Sequence, residues 1–271
     1  MFSRRHQRVV QTFAIRGKWT IFLLCLIFAL RSPADELSLS NLLADAQLHE
    51  QQGETEAALK AYQAAAQLAP TNVDIRCSIA KQYCDSMHNV TRDEKKAFAQ
   101  KALAAALEAE KADPQSAKAH VCVAVCYAKN FPFLDNSTRV DYSRQIKAEA
   151  DKAISLDPKF DLAYHMLGRW NFEVANMGFF VKSIVRMAYG GLPKASRELA
   201  IENFKKAIEL YPARIVNHLQ LARCYHVTGH EDLTLAELKQ CATLPPIDKD
   251  DKDAQRIAKQ ILVDGKWTDV R

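Results

Sequence analysis

The sequence predicts an all-α solenoid of about five helix pairs with a capping helix at its C-terminal end. Three observations predict this fold class: glycine is scarce, with 8 in 271 residues, alanine-rich runs recur, and each run ends at a proline. Alanine favours helix and proline cannot continue one, so each run is expected to be the second helix of a pair. The runs end at Pro70, Pro114, Pro158 and Pro212, and a weaker fifth run ends at Pro246.

Small residues at matching positions predict how the two helices of a pair pack. The first helices carry them at Ala46, Ala80, Ala124, Gly168 and Ala222. The second helices carry Ala58, Ala102 and Ala200, with Ile146 and Thr234 in the other two copies. Because a small residue on each helix lets the two axes approach closely, these positions are expected to be buried contacts between partner helices.

The spacing of these small residues locates the insertions. The interval within a pair is 12 residues in the first and fifth copies, 22 in the second and third, and 32 in the fourth. Every insertion therefore falls between the two helices of a pair. Since these turns all lie along one edge of a solenoid, that edge is expected to be built up in the middle repeats.

The last predicted helix runs from Asp248 to Leu262. Its apolar stripe consists of Ala254, Ile257, Ala258 and Ile261, and its first turns carry Asp248, Asp250 and Asp251, where the helix dipole favours acids. One apolar face backed by polar residues is what a capping helix requires.

These patterns resemble the tetratricopeptide repeat, a helix pair with a standard period of about 34 residues. The first copy carries the pattern as Leu42, Ala46, Gly53, Ala58, Tyr62, Ala65 and Pro70, and the last as His218, Leu221, Ala222, Tyr225, Gly229, Leu238, Cys241 and Pro246. The resemblance implies first helices that line a concave groove for partner segments.

From residue 160 onward the chain also resembles the regulator of microtubule dynamics family. The resemblance covers roughly residues 37–262 and is carried by HMLGRWNFEVA (165–175), YGGLPKAS (189–196), LAIENFKKAIELYP (199–212) and TLPPIDKDDKDAQRIAKQIL (243–262). Animal members are linked to microtubules and to mitochondrial or spindle association, so the resemblance implies partner binding. The N-terminal segment of this chain differs from what that association implies, because it has the pattern of a secretory signal.

Residues 1–34 are predicted to be a signal peptide, followed by a helical-repeat domain over 35–271. They contain six basic residues and no acid, and a run of twelve apolar residues, WTIFLLCLIFAL, spans 19–30. Twelve is short for a membrane span, which needs about 20, and fits the apolar core of a signal peptide. The prediction places the protein in the secretory pathway or cell envelope. The alternative is a chain anchored in a membrane by residues 19–30.

Two glycosylation sequons accompany this prediction. They begin at Asn89 and Asn136, and both lie in the insertions along the built-up edge. In a eukaryotic secretory lumen they would be accessible acceptors for glycans.

Charge and motifs exclude several functional classes. Without residues 1–34, the chain has 31 basic and 32 acidic residues, which lacks the basic excess of a nucleic-acid binder. No GxSxG, Gly-rich phosphate loop or HExxH motif occurs, so the sequence predicts no catalytic site and no cofactor. His226 and His230 lie near Cys224, but they span an expected inter-helix turn, which favours an ordinary loop over a metal site. The oligomeric state is left open.

Cations on the first helices form the candidate partner-binding site. The residue after each small residue is expected to face the groove, which places Lys81, Arg169 and Arg223 there, with His165 four residues before Arg169. Such a surface would complement an acidic segment of a protein partner. The alternative is that these cations pair with acids inside the solenoid.

The long insertion over 174–191 is a second candidate. Phe180, Ile184 and Met187 share one helical face. This face could pack into the core under the lengthened edge. Alternatively it could be a lid or docking surface for an apolar ligand or a membrane, which would make the protein a lipid carrier.

Overall fold

A computed structural model describes residues 33–267, which contain twelve α-helices, one short 3-10 turn (Phe131–Phe133) and no strand. The helices are α1 (Pro33–Gln52), α2 (Thr55–Leu68), α3 (Val73–Asp85), α4 (Arg92–Ala112), α5 (Ala117–Asn130), α6 (Asn136–Leu156), α7 (Asp161–Ala175), α8 (Phe179–Tyr189), α9 (Arg197–Leu210), α10 (Ile215–Val227), α11 (Glu231–Thr243) and α12 (Lys249–Asp264). The chain divides into two compact units, residues 1–41 and 42–271. The packing below is that of the second unit.

The helices pack in pairs along a solenoid, which confirms the predicted fold class. Four consecutive pairs are α3 with α4, α5 with α6, α7 with α9, and α10 with α11. The first helices of neighbouring pairs also contact one another, α3 with α5, α5 with α7 and α7 with α10, and so form one layer. We call it the first-helix layer. Beyond the last pair, α12 packs against both α10 and α11.

The predicted small residues lie at the contacts between partner helices. The alanines at 46, 80, 124 and 222 on the first helices, and those at 58, 102 and 200 on the second, are fully buried. Ile146 and Thr234 are buried at the same register. The closest packing is at Gly168, where an added methyl group would lie 2.9 Å from the ring of Phe204. The sequence register is therefore confirmed in the four pairs from α3 to α11.

The insertions become helix rather than loop. In the second and third pairs they lengthen the second helix, so that α4 and α6 each have 21 residues against 14 in α2 and 13 in α11. Thr91 begins α4 with a capping box to Glu94, and the Asp135 side chain caps α6. The longer insertion of the fourth pair forms the separate helix α8.

A hydrogen bond back to the repeat-ending proline links neighbouring pairs at the first four of these prolines. The side chain six residues after the proline donates to that proline's carbonyl in four copies. The donors are Arg76, His120, Tyr164 and His218, which bind the carbonyls of Pro70, Pro114, Pro158 and Pro212 respectively. In two copies the histidine also contacts a glutamate of the second helix.

His218 predicts a pH-dependent contribution to stability. Burial alone would lower its pKa, but Glu237 and the Pro212 carbonyl outweigh burial and raise the pKa above its usual value. Because the folded-state pKa is the higher one, the contact stabilises fully below the ordinary value of about 6.5 and is lost as the pH rises through the raised value.

Urea unfolding at a series of pH values measures this contribution. The difference in free energy of unfolding between the wild-type chain and His218→Gln is expected to shrink as the pH rises from about 6.5 through the raised pKa of His218. A difference that stays constant or grows over that interval contradicts a raised histidine pKa.

The predicted signal peptide or anchor lies outside the described residues and stays a prediction. Within residues 33–267, no helix is long and apolar enough to cross a membrane. Both sequon asparagines are exposed: Asn89 lies in the turn before α4 with a φ of 54°, and Asn136 is the first residue of α6. Their glycosylation also stays a prediction.

Candidate partner-binding surface

Lys81 lies on α3 within a chain of ion pairs. Its Nζ is 2.8 Å from Glu50 Oε1 at the end of α1 and 3.1 Å from Asp85 Oδ2 one turn along α3. Burial would lower the pKa of Lys81, but Asp85 and Glu50 together raise it above its usual range. Glu50 also accepts a hydrogen bond from the Tyr62 hydroxyl. Lys81 therefore pairs with acids inside the solenoid, which is the alternative that the sequence left open for these cations.

His165 is buried in the first-helix layer rather than displayed on it. Its Nδ1 donates to Asn217 Oδ1 at 2.7 Å, and its ring packs edge-on against Phe204. Burial, followed by the positive charge of Arg169, lowers the pKa of His165 to about 3. The imidazole is therefore neutral at physiological pH and is not available to a partner.

A buried polar network continues from His165 to the start of α10. Asn217 Nδ2 lies 3.4 Å from Asp161 Oδ2, which also accepts a 2.6 Å bond from Arg214 Nε. Asp161 and Asn217 are both buried, and the Arg214 guanidinium stacks on Tyr211. The network joins α7 to the next pair.

Arg223 lies on α10 and contacts the preceding pair. Its Nη1 donates to Glu173 Oε1 at 2.9 Å, and its guanidinium carbon lies 4.3 Å from the centre of the Phe172 ring. The side chain is mostly covered. This cation, like Lys81, is paired within the solenoid.

Arg169 is the exception among the predicted cations. It is only partly exposed, and among the described residues it has no ion pair within 4.0 Å and no side-chain hydrogen bond. Burial lowers its pKa; Glu173 and Asp250 act against this, and Arg223 adds to it. A guanidinium stays charged at neutral pH despite such effects. The structure therefore holds an unpaired positive charge beside a second arginine.

The start of α12 brings acids to the same surface. Lys249 Nζ lies 3.5 Å from Asp85 Oδ1 on α3, which links the last helix to one much earlier in the chain. The neighbouring Asp250 is exposed, and its carboxylate interacts with both Lys81 and Arg169.

These ion pairs, together with the longer-range charge interactions of Arg169 and Asp250, define one charged cluster. Its members are Lys81, Asp85, Arg169, Glu173, Arg223 and Asp250. The sequence predicted the three cations but not the three acids. Two of the acids, Asp85 and Glu173, lie four residues after a predicted cation, so helical spacing could have revealed them. No local signal places Asp250 there, because its proximity depends on how successive pairs stack.

The insertion helix α8 exposes the apolar face that the sequence identified. Phe180, Ile184 and Met187 are 82%, 59% and 87% exposed, and Val185 is the one buried member of the helix. These exposed fractions contradict the alternative that the three side chains pack into the core. Arg144 on α6 holds the end of α8 by donating to the carbonyls of Tyr189 and Gly191.

The histidines after α10 do not converge on a shared ligand position. The ring of His226 stacks on Trp267, whereas Nδ1 of His230 contacts the Thr228 hydroxyl. Their placement agrees with the ordinary inter-helix turn expected from the sequence.

Comparison with solved structures concerns the fold alone. A tetratricopeptide protein of Thermus thermophilus matches 82% of this chain and 99% of its own, with a TM-score of 0.59 and 17% sequence identity. The match supports the helix-pair solenoid described above and says nothing about what the chain binds.

Comparison with known sequences identifies relatives. "Regulator of microtubule dynamics protein 3" of Xenopus laevis is 29% identical over 191 residues, covering 68% of this chain and 40% of the relative. "Regulator of microtubule dynamics protein 2" of Bos taurus is 29% identical over 151 residues, covering 55% and 36%. The chain thus spans about two fifths of these relatives. The family profile described as "Regulator of microtubule dynamics protein 1-3" matches residues 42–266, and the chain therefore belongs to the regulator of microtubule dynamics family.

Proposed function

We propose that the chain is a non-enzymatic interaction module whose first-helix layer binds an acidic segment of a protein partner at Arg169. The supporting observation is that this guanidinium is charged, partly buried and unpaired among the described residues. A partner carboxylate would give it the bidentate contact that its planar geometry favours. Arg223 already pairs with Glu173, so it adds positive potential rather than the primary contact.

Asp250 supports the acidic nature of the partner. This carboxylate of the chain already interacts with Arg169 and Lys81, although it forms no ion pair within 4.0 Å in the described residues. It acts as a weak internal substitute for a partner's acid. A bound acidic segment would replace it or extend the row of carboxylates beside it.

Microtubules are one candidate partner, because the relatives are named as regulators of microtubule dynamics. Since this chain spans only part of those relatives, their activity as whole proteins is for this chain a proposal. Co-sedimentation of the full chain with polymerised tubulin tests it directly.

Charge reversal at Arg169 is expected to remove partner binding while preserving the fold. Arg169→Glu breaks no ion pair, so helix content measured by circular dichroism should remain that of the wild-type chain. Capture from a lysate followed by mass spectrometry should lose the acidic partner, because like charges would now face each other. Lys206→Glu is the control, since the ion pair that Lys206 forms within residues 33–267 is with Glu209 on its own helix.

Two results would count against this site. If Arg169→Glu unfolds the protein, the arginine has a structural role. If the variant folds and captures the same partners as Lys206→Glu, the charged cluster is not the binding site.

A second function, binding of an apolar ligand or membrane, is supported by α8. Its exposed Phe180 and Met187 share one helical face, and the ring of Phe179, which is 80% exposed, packs edge-on against that of Phe180. Large exposed apolar patches mark sites that bind a protein, a ligand or a membrane. In this function the chain would be a carrier, with α8 as its lid or docking helix.

The two functions predict that different molecules co-purify with the chain. Lipid extracted from the wild-type protein but not from Phe180→Asp would favour the carrier. An acidic protein that is lost in Arg169→Glu and kept in Phe180→Asp would favour the interaction module.

A further inference from the structure

A glutamate from each of two helices meets a histidine where the second and third pairs adjoin. Glu110 lies near the end of α4, His120 on α5 and Glu149 on α6. His120 Nδ1 is 2.6 Å from Glu149 Oε2 and 3.7 Å from Glu110 Oε1, and the three donor atoms all lie within 4.8 Å of one another. The sequence gives no warning of this group, because its members are not spaced as a metal-binding motif.

The histidine is oriented as metal-binding histidines are. His120 Nε2 lies 3.0 Å from the Pro114 carbonyl, to which it donates its proton. A backbone carbonyl in that position fixes the tautomer and leaves Nδ1 as the ligand atom. Nδ1 then points at the two carboxylates.

The charges of the group favour a divalent cation. Among the described residues, neither Glu110 nor Glu149 has a lysine or arginine within ion-pair distance, and His120 is their shared partner. One divalent ion bound by a neutral histidine and two carboxylates would neutralise the group.

We propose that Glu110, His120 and Glu149 form a zinc site that ties together α4, α5 and α6. Zinc takes histidine nitrogen and carboxylate oxygen at about 2.0–2.2 Å, so tetrahedral ligands lie about 3.3 Å apart. The observed separations of 2.6 and 3.7 Å lie on either side of this value. Water would complete the coordination from the side of Glu110, which is the most exposed of the three.

The chain contains its own control for this site. In the last pair, His218 Nδ1 lies 2.7 Å from Glu237 Oε2 and His218 Nε2 lies 2.9 Å from the Pro212 carbonyl. The residue four before that proline, which corresponds to Glu110, is Ile208. The same histidine–glutamate contact therefore exists there without the third ligand.

Zinc titration of the untagged full chain by calorimetry tests the proposal. The wild-type chain and Glu237→Gln should each bind one zinc ion at this site and gain thermal stability from it. Glu110→Gln should bind at least about tenfold more weakly, because it replaces one charged ligand by a neutral amide. Circular dichroism of Glu110→Gln checks that the weaker binding occurs in a folded protein.

Cobalt as a spectroscopic probe identifies the ligands. Visible absorption of a nitrogen- and oxygen-ligated ion, lost in Glu110→Gln, is expected. A thiolate-to-cobalt charge-transfer band would instead place the metal on Cys77 and Cys122, whose thiols lie close together, and would overturn the proposal. So would a wild-type chain that binds no zinc, or a Glu237→Gln variant that weakens binding as much as Glu110→Gln.

Discussion

Asp161→Ala is expected to destabilise the fold by about 3–5 kcal/mol, the usual cost of breaking a buried ion pair from one side. The carboxylate is buried and accepts the 2.6 Å bond from Arg214 Nε, and the Asn217 amide approaches the same oxygen. Its removal leaves a mostly covered guanidinium with Asp248, 3.7 Å away, as its remaining acid. Urea unfolding followed by circular dichroism measures the loss.

Asp74→Ala is the matched control for this prediction. Asp74 also lies in the first turn of a first helix and pairs with the next repeat, at 2.6 Å from Lys118 Nζ. Asp74 and Lys118 are both more than half exposed, so the pair is expected to contribute less than about 1 kcal/mol. Equal losses in Asp74→Ala and Asp161→Ala would show that burial of the network does not determine its strength.

Gly168→Leu is expected to lower the free energy of unfolding by about 1–3 kcal/mol through overpacking. A methyl group at this position would already lie 2.9 Å from the Phe204 ring, which is fully buried. The gain in helix propensity over glycine, up to about 1 kcal/mol, offsets part of the cost. The melting temperature should fall by several degrees.

Gly178→Leu provides the comparison. Gly178 precedes α8, and a side chain added there meets nothing within 4 Å. Its melting temperature should stay close to that of the wild-type chain. An unchanged melting temperature in Gly168→Leu as well would mean that α7 and α9 can separate at little cost.

The helix pairs were predictable because their contacts depend on local sequence. A small residue at each crossing, such as Ala124 or Gly168, recurs at a spacing that only a helix pair explains. What the insertions become was harder to predict. The number of inserted residues places them between helices, but only the caps at Thr91 and Asp135 indicate that they extend α4 and α6.

The charged cluster was predictable only in part. Register places Arg169 on the first-helix layer, and it also predicts that Lys81 and Asp85 can pair. It does not show that His165 is buried, because its cover comes from Phe204 and Asn217 on other helices. Register also does not predict that Asp250 lies near Lys81, because a small change in the stacking of each pair would move α12 away from α3.

Binding to an array of immobilised peptides that vary in acidic content tests the central claim, recognition of an acidic segment at Arg169, most directly. The wild-type chain is expected to bind peptides with successive acids, and Arg169→Glu to lose about tenfold or more in affinity. Asp250→Asn should bind them more tightly, because it removes the internal acid that interacts with Arg169. Binding that does not depend on peptide acidity, or that is unchanged in Arg169→Glu, would contradict the claim.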